Sequence, residues 1–210
     1  MRSKAYRSFT ERLLAREILP GQFVSQRELV AITGLPLGAI RELIPRLEAE
    51  GIITTVPKRG MQVAHVDNDL IRNAFELRKI LELSALREFC RTAAPSTISD
   101  IEAEHRELAS GAQREITPEL ISRAQAIDWG FHDTIIDHLG NKLISGVYQT
   151  NSIKIRIIRG RETRILPELF HEIIREHMRI VTALIEGDED AAVEALADHI
   201  DSARNRALGL

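Results

Sequence analysis

The sequence contains one cysteine, Cys90, so no disulfide can close within the chain. That fits a reducing cytoplasm, where such a residue serves most simply as a small helix-packing side chain. Aromatic residues are scarce at 4%, while Leu, Ile, Ala, Glu and Arg abound, a balance that favours helices. No apolar run approaches the roughly 18 residues of a membrane span. The opening stretch, MRSKAYRSFTERLLAREIL, lacks the apolar core of a signal peptide, and Glu11 and Glu17 argue against a transit peptide. A cytoplasmic protein with no membrane partner is expected. With 210 residues, 44% of them hydrophobic, the chain can bury the core of one or two domains. The net charge of −3 conceals an asymmetry. Residues 1–66 hold ten Lys/Arg against six Asp/Glu, and residues 67–210 hold eighteen against twenty-five. A basic head on an acidic remainder suggests an anionic partner for the head alone.

Within residues 1–66, Phe9, Leu13, Leu14 and Ile18 stand at helical spacing over Ala5–Ile18, and LPGQF (19–23) ends that run with a Pro-Gly turn. Ser25 and Glu28 form a capping box ahead of RELVAIT, which Gly34 stops. A further helix starts near Pro36 and ends at Gly51. Two β-rich runs follow, Ile52–Val56 and Met61–Val66, joined by the basic turn Pro57-Lys58-Arg59-Gly60. Helix, glycine turn, helix is the helix-turn-helix arrangement, which offers its second helix to the DNA major groove. The hairpin tip, with Lys58 and Arg59 beside Gly60, is suited to phosphates or the neighbouring minor groove. A generic small α+β domain is the plainer alternative.

This stretch resembles the winged helix of GntR-type transcription regulators at Pro20-Gly21, Arg27-Glu28-Leu29, Gly34, Arg41-Glu42, Leu47, Glu50-Gly51 and Gly60. The resemblance implies that Arg27, Arg41 and the wing tip around Gly60 contact DNA. Two departures stand out. Pro36-Leu37-Gly38-Ala39 occupies the place of a Ser-Arg-Thr-Pro-like run, so Leu37 replaces an arginine of the recognition helix. Pro45 sits inside that helix without the N–H that would bond Arg41's carbonyl, so a kink is expected there.

From Asp67 onward the pattern is helical with short breaks and no strand signal. Six helices are predicted, at about 68–92, 97–111, 118–139, 141–163, 167–186 and 189–207. The fold class is therefore mainly α: an N-terminal winged helix-turn-helix at 1–66 and an all-α six-helix bundle at 67–210.

Three of these helices carry polar groups on apolar faces. His177 interrupts a stripe of Phe170, Ile173, Ile174, Val181 and Leu184, and His199 one of Ala192, Leu196 and Ala203. Asp128 and His132, four residues apart, share a face flanked by Ile121, Ala124, Ile135 and Leu139. His177 lies ten residues before Gly187 and His199 twelve after it. In an antiparallel hairpin both then stand about 15–18 Å from the turn, at the same height. Three imidazoles and one carboxylate suit a divalent ion, zinc first, with nickel, manganese or iron as alternatives. Singly, each histidine also fits a hydrogen-bonded core residue, and Asp128 a local cap or an arginine's partner. His65, His105, His138 and His171 have no comparable setting and are expected to be exposed or half-exposed.

AIDWGFHDTIIDHLGNKLI and REHMRIVTALIEGDEDAAVEALADHI resemble the FCD effector domain of FadR-like GntR regulators. Asp128, His132, His177 and His199 match that domain's Asp-x3-His and paired histidines, and Arg78 and Glu82 its Arg-x3-Glu. Six helices rather than seven point to the VanR-like branch. The resemblance implies a regulator, by default a repressor, that binds a double-stranded operator as a homodimer. A small carboxylate effector would complete the metal's coordination, with Arg78 as second anchor. A metal-dependent hydrolase is the alternative. Against it, no H-E-x-x-H is present and no general base is placed by motif.

Overall fold

A computed structural model describes residues 2–159 and 167–210. The chain forms two compact units. One comprises the residues up to Ile71 with Ser152–Arg159; the other comprises Arg72–Asn151 and the residues from Pro167 on.

The first unit begins with α1 (Arg2–Leu14), which ends before Ile18. Arg16 adopts φ 62, and the N–H groups of Arg16 and Glu17 bond back to Leu13 and Arg12. That is a left-handed cap built without glycine, so the predicted helix is shorter, although Ile18 still reaches the core. β1 (Phe23–Val24) follows, then α2 (Gln26–Thr33) with both halves of the Ser25–Glu28 capping box formed. Gly34 closes α2 at φ 68. α3 (Leu37–Ala49) continues through Pro45. β2 (Ile53–Val56) and β3 (Gly60–Val63) form the wing. The sheet order is β1-β3-β2, antiparallel throughout, with Val24 opposite Met61 and Thr55 opposite Met61 on the other side. β1 was not expected from the sequence, since two residues carry no period to read. Gly60 makes room for it: at φ +97, a Cβ there would come within 2.9 Å of the Val24 carbonyl oxygen. Phe9, Leu13, Leu29, Ile40, Leu47, Met61 and Val63 fill the core, which also takes in Ile157.

The second unit is built from α4 (Asn68–Thr92), α5 (Pro95–Arg114), α6 (Pro118–His138), the start of α7 (Lys142–Arg159), α8 (Pro167–Glu186) and α9 (Glu189–Leu208). Among the described residues the predicted breaks hold. Thr117 caps α6 through the Leu120 N–H, Pro118 occupies its first turn, and Asp188 caps α9 after Gly187 turns the chain at φ 71. Positions 160–163 of the predicted fourth helix lie outside the described residues. Among the described residues no helix is long and apolar enough to cross a membrane.

Candidate metal centre

The four-residue spacing on α6 sends Asp128 and His132 into the bundle, where both are buried. The α8–α9 hairpin brings His177 and His199 to the same level, with ring centroids 4.6 Å apart. His132 lies 5.5 Å from His177 and 5.3 Å from His199, centroid to centroid. Asp128 Oδ1 is 3.2 Å from His177 Nε2. One ligand atom from each of the four residues lies within 4.8 Å of all the others. Ligands about 2.1 Å from one ion stand no more than about 4.2 Å from one another, twice that length. Drawing the widest pair in by roughly half an ångström or more would let the set hold a cation.

A second ring of groups fixes how the histidines face. His199 Nδ1 lies 2.8 Å from Glu176 Oε2, and Arg206 donates to both oxygens of that carboxylate, at 3.0 and 3.3 Å. His132 Nδ1 lies 2.8 Å from Glu82 Oε2, with its N–H off the ideal line, while Arg78 Nε donates to Glu82 Oε1 at 2.7 Å. His177 Nδ1 lies 3.0 Å from His105 Nε2. Gln125 donates to Asp128 Oδ2 at 3.3 Å. Each Nδ1 is thus turned outward, and the Nε2 atoms of His132, His177 and His199 face inward, buried, with no hydrogen-bond partner. Buried ring nitrogens converging beside a carboxylate need a positive partner, so the arrangement could hold a cation.

The electrostatics keep the rings neutral, as ligands must be. Burial holds His132 and His199 down at about 4, and His177 below its ordinary value. Burial works against the Glu82 carboxylate, but Arg78 and His132 outweigh it and bring it to about 2. Glu176 reaches about 2 in the same way, through His199 and Arg206.

The FCD domain family matches residues 73–202, well over half the chain. The chain belongs to the FCD family. It shares 26% identity over 204 residues with an uncharacterised HTH-type transcriptional regulator of Streptomyces ambofaciens, covering 95% of this chain and 81% of the relative. Its fold is that of a candidate GntR regulator from Rhodococcus sp. RHA1, with a TM-score of 0.77 at 16% identity, covering 99% of this chain and 97% of the other. It also resembles the Zn2+-bound FCD domain of TM0439, with a TM-score of 0.52 at 23% identity over 70% of this chain and 96% of that one. This FCD protein is a transcription regulator, and its relatives are regulators rather than enzymes.

The other expected site residues fall as follows. Arg27 on α2, Arg41 on α3, and Lys58 and Arg59 at the wing tip are all exposed. Arg41 Nε bonds Gln26 at 3.3 Å, and the Arg59 guanidinium stacks 3.9 Å from the Phe23 ring centroid. Arg78 is buried, and its two terminal nitrogens have no hydrogen-bond partner. His65, His138 and His171 are exposed as expected, but His105 is not: it is 1% exposed and bonded to His177. Its signal was legible, because Ile101, His105, Leu108 and Ala112 form one buried stripe along α5. Glu176, adjacent to His177 in sequence yet serving His199, gave no such signal.

Proposed function

We propose that the four-residue centre holds a divalent cation, zinc foremost, and that a small carboxylate binding there controls operator affinity. One observation carries the reading: three buried imidazole Nε2 atoms converge beside the Asp128 carboxylate. Asp128, His132, His177 and His199 would hold the ion, which when bound supplies a Lewis-acidic face for an anion. Arg78 adds a second anchor, since Glu82 engages only its Nε and leaves both terminal nitrogens for a bidentate carboxylate. Arg27, Arg41, Lys58, Arg59 and Gly60 would meet operator DNA in a homodimer, whose two heads supply the affinity one half-site lacks. The carboxylate acts by favouring one of two dimer states, and relief of repression is the expected sense. Zinc-loaded protein should show a higher melting temperature with malate or citrate, and the same acid should release it from operator DNA in a gel shift. Chelation should abolish the melting shift; a shift that survives it would sink the reading.

A further inference from the structure

We propose that His105 is a positioning residue of the metal centre: it accepts the Nδ1 proton of His177 and so fixes His177 with a bare Nε2 facing the ion. The proposal rests on the metal reading above and adds a residue to it.

The argument follows one proton at a time. His105 Nδ1 lies 2.7 Å from the backbone carbonyl oxygen of Ile101. A carbonyl oxygen can only accept, so Nδ1 must carry a hydrogen. In a neutral imidazole the other nitrogen, Nε2, then holds a lone pair. That lone pair points at His177 Nδ1 from 3.0 Å, which requires His177 to donate from Nδ1. His177 Nε2 is left unprotonated, 3.2 Å from Asp128 Oδ1 and close to the other two ligand histidines. A main-chain carbonyl on α5 thus sets the tautomer of a ligand on α8 through one intervening ring.

The competing arrangement puts the His177 proton on Nε2, donating to Asp128. Two lone pairs would then face each other across the buried His105–His177 gap, or His105 would have to be an imidazolium. Its two ring partners are a carbonyl and an imidazole, and neither is a carboxylate. Glu104 and Asp128 act on His105 only from a distance, and a buried cation with neither ring nitrogen on a carboxylate is costly. Phe131 packs against both rings, at 5.4 Å from His105 edge-on and 5.2 Å from His177, which leaves little freedom for either to turn.

His105 also differs in kind from its counterparts. Glu82 and Glu176 accept from any donor, being carboxylates held near 2. An imidazole accepts only in one tautomer, so the support given to His177 depends on the Ile101 bond. Outer partners of this sort typically change metal affinity about 10–100-fold.

The test reads His177 directly. A long-range 1H–15N spectrum of the metal-free, full-length wild-type protein at neutral pH should show His177 protonated at Nδ1 and bare at Nε2. In His105→Leu, which removes the acceptor, His177 should shift to the Nε2-protonated tautomer, and zinc affinity in a chelator competition should fall about 10–100-fold. His105→Gln, whose side-chain oxygen can still accept, should restore most of both. An Nε2-protonated His177 in the wild type overturns the proposal, and so does a folded His105→Leu protein with wild-type tautomer and affinity. If His105→Leu does not fold, the wild-type spectrum and the glutamine variant decide. Zinc binding by the wild type tests the metal centre itself, whereas the tautomer is read without metal, so the two failures are told apart.

Discussion

Four residues on three helices make the centre, and what prepares them is the hydrogen on the far side of each ring. His199 leans on Glu176, His132 on Glu82 and His177 on His105. Neutral buried rings have a consequence for stability against pH. In the unfolded chain a histidine takes up its proton near 6.5, while His105, His132 and His199 in the fold resist until about 4. Between those values the unfolded chain binds more protons, so stability is complete above about 6.5 and falls as pH drops toward 4. Glu82 and Glu176, held at about 2 against 4.5, extend the loss from about 4.5 downward. Urea unfolding of metal-free protein at pH 7.5, 6 and 5 should show a steadily falling midpoint. A flat profile across that range would show that the rings are not buried and neutral.

At the scale of elements, most boundaries follow from local chemistry. Ser25 with Glu28, Thr117 with Pro118, and Gly187 with Asp188 start or stop helices where their caps require. The exceptions have physical causes. α1 stops at a left-handed arginine, a conformation that residue type does not advertise. β1 exists because Gly60 lets two chains approach, a constraint visible only when both are in place. Gly60→Ala should therefore strain the wing twice, through its φ and through the Val24 carbonyl. A loss of about 1–3 kcal/mol in chemical unfolding is expected, and an unchanged midpoint would show that the close approach does not matter. α3 carries its departures on view: Leu37 stands 39% exposed, and Pro45 leaves the Arg41 carbonyl without its helical donor.

For the whole molecule, the division of labour puts exposed cations on the first unit and the buried ligand cluster in the second. Arg41→Ala should accordingly weaken operator binding and lessen its salt dependence, since one cationic contact is removed. Oligomeric state and zinc content should not change. Operator affinity equal to wild type at stated salt would remove Arg41 from the interface.

The sequence by itself determined the types of the longer elements, the helix-turn-helix order, and the convergence of Asp128, His132, His177 and His199 in the core. Those depend on local periodicity, caps and a hairpin whose arms are equal in length, all of which are read along the chain. Only the tertiary structure decided that His105, on the inner stripe of its helix, meets His177, that Glu176 serves His199 instead of its own neighbour, and that the wing has a third strand. These are pairings between segments distant in sequence, and side-chain direction across such a gap is set by packing, which no local pattern encodes.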